Sequence, residues 1–342
     1  MPPENRPLRF TWSMSSGRSA GAHDPASTGG VTNGFDDDLQ FRSQMKFCRR
    51  AEEAGAETVL VPMGPGHADP LTLTGALAMV TSTLKFMITA RPGVVSPTYF
   101  VQQINTLSVL TGGRVTANVV LDYVPHEQRA FGDHVPQDVW YRRVEEYCDI
   151  CEALWRTQDP VDHHGEHFRV EGAQLTTPFV SSDQAGPEIY VTSNSPPGDR
   201  LVERYADCHV RFADSPERLE PAIASTLERG VEVGLMLPLI LRPIRDEALH
   251  AAEGHVDHMA TALVGSPQDV AEGLLAYARM GVSQFIVQGG HDVDSMIDSV
   301  ILFGREVLPV IRAQEGDWTA GTGRASGRTP RAVVSEPTGQ GR

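Results

Sequence analysis

Eight short apolar runs punctuate the chain, each ending near Gly, Pro, Ser or Asp, with helical patterns between them. They are RFTWSM (9–14), ETVLVP (57–62), LKFMITA (84–90), RVTANVV (114–120), EIYVT (188–192), DCHVRF (207–212), VEVGLMLPLI (231–240) and QFIVQ (284–288). Most lack a polar alternation and read as strands buried on both faces. DLQFRSQMKFCRRAEEAG, DPLTLTGALAMVTS, SPTYFVQQINTLSVLTGG, PERLEPAIASTLERG and SPQDVAEGLLAYARMG carry helical spacing. Alternation on this scale requires parallel strands joined by helical crossovers. Eight repeats favour an α/β fold of the closed (β/α)8 TIM-barrel type over an open doubly wound sheet.

Length alone, 342 residues at 40% hydrophobic composition, fits one large domain or two ordinary ones; the alternation places a single barrel over 9–314. Two intervals exceed an ordinary crossover: 15–38, and 121–187, which holds a helix (VWYRRVEEYCDICEALW) and a hairpin around VDHHGEHFRV. In a barrel both leave the C-terminal rim as insertion segments. Residues 1–8 read as a flexible N-terminus. Residues 315–342, low in aliphatic side chains and rich in Gly, Ser, Thr and Arg, read as a disordered tail.

Charge excludes two partner classes. A formal net charge of −15, from 44 acidic against 29 basic side chains, repels nucleic-acid phosphate and anionic membranes. The start, MPPENRPLRF, lacks the apolar core of a signal peptide, and VGLMLPLIL (233–241) is too short to span a bilayer, so a soluble, cytoplasmic protein is expected. Cys48, Cys148, Cys151 and Cys208 do not form a disulfide framework. Cys148 and Cys151 make a CxxC, but on one helical face beside Leu154 and Trp155, which favours packing over zinc or redox chemistry.

The stretch TVLVPMGPGHADP (58–70) drives a strand into a turn that presents His67 and Asp69 on the face where such barrels keep their chemistry. Asp69 fits equally as the N-cap of the helix PLTLTGALAMV, with Pro70 at its first position. Asn118 lies inside VTANVV, where an unsatisfied amide costs about 1–3 kcal/mol and so needs a partner. Arg91 follows the third strand, where a guanidinium can hold an anionic substrate or cofactor group or lie idle on the surface.

Several segments, in order over residues 8–312, together resemble the bacterial luciferase-like flavin monooxygenases, most closely the alkanesulfonate monooxygenase branch. They are AEEAGAETVLVPMG (51–64), LKFMITARPGVVSPT (84–98), LTGGRVTANVV (110–120), the Tyr141 to Glu146 spacing, HGEHFRVEGAQL (164–175) and PEIYVTSNSPPG (187–198). The resemblance implies a (β/α)8 barrel, FMN delivered in reduced form by a separate flavin reductase, O2 as co-substrate, and a homodimer or homotetramer. It places Ser193, Asn194 and Ser195 at the FMN phosphate, where TSNSPPGDR also offers hydroxyls, a glycine and a helix start. It places Tyr141 near the phosphate or flavin side chain, Asn118 against the ring, and Met63, Asp69 and Arg91 in the cofactor surround. The family uses no metal at His163, His164 and His167, and none is expected.

The chain also departs from that branch. His67 stands where relatives carry a cysteine, Met236 and Pro238 replace an Arg and a His on the seventh strand, and the region EGHVDHMATALVG is shortened. Gly290 replaces a tyrosine after the eighth strand, with His291 and Asp292 adjacent. Losing these cations argues against a sulfonate. The expected substrate is a bulky, mostly hydrophobic organic molecule lined by Trp12, Met236, Pro238 and Asp292, with His67, Asn118 and His291 as acid, base or hydrogen-bonding groups. Two alternatives stay open: a deazaflavin-dependent oxidoreductase, and a flavin-free barrel acting as a non-redox enzyme or binding protein.

Overall fold

Each of the eight apolar runs forms a parallel strand in the computed structural model, which describes residues 7–14, 35–121, 124–181, 184–253, 261–290 and 293–319. The strands β1 (Arg9–Ser13), β2 (Thr58–Val61), β3 (Lys85–Ala90) and β4 (Val115–Val120) are separated by α1 (Phe35–Glu53), α2 (Pro70–Ala78) and α3 (Pro97–Thr111). The long fourth connection carries α4 (Pro125–Ala130), α5 (Gln137–Arg156) and the antiparallel pair β5 (Val161–His164) and β6 (Arg169–Ala173). The wall resumes with β7 (Ile189–Thr192), α6 (Gly198–Tyr205), β8 (Cys208–Phe212), α7 (Pro216–Glu228) and β9 (Glu232–Leu241). After α8 (Arg245–Ala252) come β10 (Leu263–Gly265), α9 (Pro267–Arg279), β11 (Gln284–Gly289), α10 (Val293–Leu302), a π-helical turn (Phe303–Val307) and α11 (Leu308–Thr319).

The parallel pairs run β9-β11-β1-β2-β3-β4-β7-β8, and β8 pairs back onto β9, which closes an eight-stranded (β/α)8 barrel. One further parallel strand, β10, lies outside the ring. It pairs only with the overhanging end of β9, Leu263 opposite Leu239, and was not apparent as an apolar run.

Side chains alternate across each strand, so the register sorts them into two cores. Leu60, Met87, Tyr190, Cys208, Val210, Met236 and Ile286 cluster inside the barrel. Phe10, Trp12, Val59, Phe86, Leu235 and Phe285 belong to the larger cluster shared with the surrounding helices. The N-terminal end is closed by polar groups: Tyr190 donates to Gln284 Oε1 at 2.7 Å, Gln284 donates to Glu232 at 2.9 Å, and Arg9 forks onto Glu188 at 2.6 and 2.8 Å. These contacts leave the C-terminal ends of the strands as the candidate face for a site.

The helix starts are encoded locally. Asp69 Oδ1 accepts from Thr72 N at 2.8 Å ahead of Pro70, Ser96 caps α3 ahead of Pro97, and Ser266 with Asp269 forms a capping box ahead of Pro267. In the motif LTGGR, Gly112 and Gly113 take positive φ (68° and 87°), and Arg114 donates to the carbonyls of Leu84 (2.6 Å) and Ala78 (3.2 Å). That motif therefore ties down the N-terminal side of the barrel.

The last helix runs to Thr319, because Glu315 accepts from Leu8 N and pairs with Arg312 at 2.8 Å, which fastens α11 to the start of β1. Residues 320–342 and 1–6 lie outside the described residues. Among the described residues no helix is long and apolar enough to cross a membrane, and no group of three or more His, Cys, Asp or Glu side chains is placed to hold a metal ion.

Candidate active site

Paired residues of neighbouring parallel strands share a face, so the register identifies what faces the mouth. Thr89 pairs with Asn118, Asn118 with Tyr190, Thr192 with Val210, and Gln288 with Pro238. Because Tyr190 and Val210 lie in the inner cluster, Thr89, Asn118 and Thr192 face inward as well. Asn118, 2% exposed, accepts a hydrogen bond from the Thr192 hydroxyl at 2.7 Å. This meets the sequence requirement for a partner and fixes the amide's orientation, so that its two N–H donors are the groups left to offer.

Beyond β7 the chain turns into α6 and gathers three hydroxyls. Tyr141 Oη lies 2.7 Å from Ser195 Oγ, Ser195 Oγ lies 3.0 Å from Ser193 Oγ, and Ser195 N donates to Ser193 Oγ at 3.1 Å. A Cβ on Gly198, the first residue of α6, would sit 2.4 Å from Ser193 Oγ and 3.3 Å from Ser195 Oγ. Glycine is what allows this close approach. Hydroxyl donors collected at the first turn of a helix suit an anion. Asn194 is exposed and accepts a long bond, 3.4 Å, from Phe212 N.

The turn is supported from behind. His209, fully buried on the outer face of β8, has Nε2 2.9 Å from the Ser193 carbonyl oxygen and Nδ1 3.2 Å from Thr226 Oγ1. Burial and the neighbouring Arg211 charge push its pKa down to about 4, so the ring is neutral near pH 7 and donates from Nε2 to the carbonyl. Arg211 and Arg229 approach Asp199 of α6 at 3.6 and 3.4 Å.

Across the mouth, α4 folds over the loop that follows β3. Arg91 is ion-paired with Glu127. Arg143 holds Asp133 with two contacts of 2.8 Å and donates to the Gly93 carbonyl at 3.3 Å. The half-buried His67 lies close enough for the Glu127 carboxylate to act on it. Burial lowers its pKa and Glu127 opposes the shift, with burial prevailing, so His67 is a neutral imidazole near pH 7.

Unpaired buried polar atoms gather on this side. Thr89 Oγ1, Thr116 Oγ1, Arg91 Nε and both side-chain amide atoms of Gln128 have no hydrogen-bond partner. Native proteins rarely leave such groups uncompensated, and a polar ligand is one remedy. The residues present therefore fit a flat, heteroatom-rich ring with a phosphate tail. A surface cavity along Phe10, Trp12 and Phe303 lies in the outer core; the polar inner face marks the mouth instead.

The structure brings together Tyr141, Ser193 and Ser195 in one cluster, and His67 and Arg91 in another. Met236 is inward-facing, with Gln288 Nε2 3.8 Å from its sulfur, and Pro238 is opposite Gln288 on the same wall. Met63 is half-buried in the turn after β2. Asp69 is exposed and its carboxylate caps α2. Trp12 requires a correction. Its ring is 1% exposed, packs edge-on to Phe303 at 5.6 Å, and lies outside the barrel wall because Thr11 and Ser13 take the inner positions of β1. His291 and Asp292 lie outside the described residues. Sequence analysis did not single out Thr89, Glu127, Gln128, His209 or Arg211, and counted Thr192 only among the hydroxyls of TSNSPPGDR. A polar residue within an apolar strand was the available signal for the two threonines.

Two other sequence features are structural. Glu146 accepts the backbone N–H groups of Glu166, His167 and Phe168 at 2.9–3.0 Å, clamping the β5–β6 turn, and His163 Nε2 is 3.6 Å from the same carboxylate. Cys151 is buried with Sγ 3.8 Å from the Pro97 carbonyl oxygen, and burial pushes the Cys148 thiol up to about 12, which keeps it protonated.

Comparison with solved structures finds the same architecture. EDTA monooxygenase (EmoA) from Chelativorans sp. BNC1 superposes with a TM-score of 0.75 at 15% identity, over 90% of this chain and 94% of that one. The long-chain alkane monooxygenase LadA gives 0.74 at 17% identity, over 91% and 92%. An F420-dependent secondary alcohol dehydrogenase, solved with an F420–acetone adduct, gives 0.69 at 18% identity, over 90% and 100%. The family model for luciferase-like monooxygenases matches residues 8–260, from β1 through the inserted segment and the turn after β7 to the connection beyond α8; this chain is an enzyme of the luciferase-like monooxygenase family.

Proposed function

We propose that the enzyme is the oxygenating component of a two-component system that takes reduced FMN from a separate flavin reductase, uses O2 and oxygenates a mostly hydrophobic organic molecule. The observation that carries this reading is the Tyr141–Ser195–Ser193 hydroxyl cluster around Gly198, beside the inward-facing Asn118–Thr192 pair. When bound, reduced flavin supplies the two electrons by which one oxygen atom of O2 enters the substrate and the other leaves as water.

The chain's own residues bind and orient. Ser193, Ser195 and Tyr141 would hold the phosphate, with the first turn of α6 contributing its dipole. Asn118 would present its N–H donors to the ring. Met236 and Pro238 give the opposite wall an apolar surface, and α4 covers the β3 side and keeps water out. His67, neutral near pH 7, can accept a proton from the substrate or return one. The nearby cations support an uncharged substrate, since Arg91 is matched by Glu127 and Arg143 by Asp133.

Deazaflavin is the second reading, favoured by the F420-dependent neighbours, whose TM-scores of 0.69 and 0.70 are close to those of the monooxygenases. A flavin-free barrel is disfavoured by the unpaired polar atoms at the mouth. Anaerobic titration with reduced FMN and with reduced F420, followed by admission of 18O2 with a panel of apolar substrates, separates the readings. The proposal expects reduced FMN to bind and one 18O atom to appear in product; tight binding of F420 alone, with no label incorporated, would overturn it.

A further inference from the structure

Gln128 is only 4% exposed, yet neither Oε1 nor Nε2 has a partner. Most of the rest of α4 is exposed, and the stripe Val124, Glu127, Gln128 and Phe131 forms its inward side. Two tethers set where that side faces: Glu127 is paired with Arg91 just beyond β3, and Asp133 is linked through Arg143 to the Gly93 carbonyl in the same loop. Gln128 is therefore held over the β3 side of the barrel, where Thr89 Oγ1 and Arg91 Nε are also unpaired. The family role proposed above for the phosphate turn and Asn118 leaves Gln128 unused.

A primary amide offers one acceptor and two donors in a single plane. A partner that carries N–H and C=O side by side satisfies both ends at once, and a mostly hydrophobic substrate has no such edge. The pyrimidine half of a flavin ring has one, with N3–H between two carbonyls, and a deazaflavin keeps it. We infer that Gln128 reads this edge: Oε1 accepts from N3–H, Nε2 donates to an adjacent carbonyl oxygen, and Arg91 Nε supplies a donor beside it. The inference rests on the flavin reading of the mouth and adds to it the residue that recognises the ring itself, independently of the phosphate.

The test compares equilibrium binding of FMN and N3-methyl-FMN, followed by flavin fluorescence, in the native enzyme, Gln128→Leu and Ser195→Ala. The native enzyme is expected to prefer FMN by about tenfold or more, the value of a buried donor–acceptor pair. Gln128→Leu should bind both alike, within about threefold, whereas Ser195→Ala should weaken both and keep the preference. Thermal unfolding of ligand-free Gln128→Leu should occur at or above the native temperature, since an unpaired buried amide gives way to an apolar group of similar size; an amide with a purely structural role would lower it. Retention of the N3 preference in Gln128→Leu, or its absence in an enzyme that binds FMN, overturns the assignment of Gln128 alone. Failure of the native enzyme to bind either FMN or F420 overturns the flavin reading and this inference together.

Discussion

Replacing Ser195 by Ala isolates the phosphate seat from everything else at the mouth. In the ligand-free enzyme the Ser195 hydroxyl is shared between Tyr141 (2.7 Å) and Ser193 (3.0 Å), so binding exchanges neutral hydroxyl–hydroxyl bonds for bonds to a dianion. A neutral bond contributes about 1 kcal/mol net and one to a charged group about 1.5–3. The loss in FMN binding is therefore about 0.5–2 kcal/mol, a rise in Kd of roughly 2- to 30-fold. Riboflavin has the same ring and side chain without the phosphate, and its Kd should change by less than about twofold. Tyr141→Phe should act in the same direction, and the double variant should lose less than the sum because the two residues share one bond. Fluorescence titration of FMN and riboflavin against the three variants measures all of this. Equal weakening of both ligands would refute the assignment, since it would place the hydroxyls at the ring or in the scaffold.

Three further outcomes follow from the geometry. His209→Leu removes the donor to the Ser193 carbonyl and should weaken FMN more than riboflavin, while His209→Gln, whose Nε2 reproduces that donor, should restore the ratio; an unrestored ratio would show that the imidazole acts otherwise. Asn118→Ala strands the Thr192 hydroxyl and should cost about 1–3 kcal/mol in urea unfolding, part of which Thr192→Val should recover in the double variant. Glu52 accepts bonds from Ser82 N, Thr83 N, Thr83 Oγ1 and Leu84 N; burial raises its pKa, but these bonds outweigh it and hold the value at about 2. A depressed folded-state pKa stabilises above the unfolded value, about 4.3, and the benefit fades as pH falls toward the folded one. Glu52→Gln should thus lower Tm at pH 7 and differ progressively less from the native enzyme below about pH 4.

Much of the fold was legible because a parallel barrel buries both faces of its strands, so each appears as an apolar run between turn residues. The same property hid which face was which. In RFTWS the large Trp12 attracts a substrate role, yet Thr11 and Ser13 point inward and Trp12 packs under Phe303. Read by parity, the polar residues Thr89, Asn118 and Thr192 mark the inner mouth. Ser193, Ser195 and Tyr141 came from resemblance, and their mutual contact, across 54 residues from Tyr141 to Ser195, could not come from local pattern. Glu127 and Gln128 were illegible because α4 is a six-residue helix whose partners belong to the loop after β3. Asp69 had two local readings, and the bond to Thr72 N shows that the cap is made.

In the proposed complex a flavin lies across the C-terminal ends of β3, β4 and β7 with its phosphate on the α6 turn. A crystal structure of the enzyme equilibrated with FMN tests it most directly. Density is expected for the phosphate within hydrogen-bonding distance of Ser193, Ser195 and Tyr141 and for the ring beside Asn118. Flavin bound elsewhere, or a mouth that stays closed by its own side chains at saturating FMN, would contradict it.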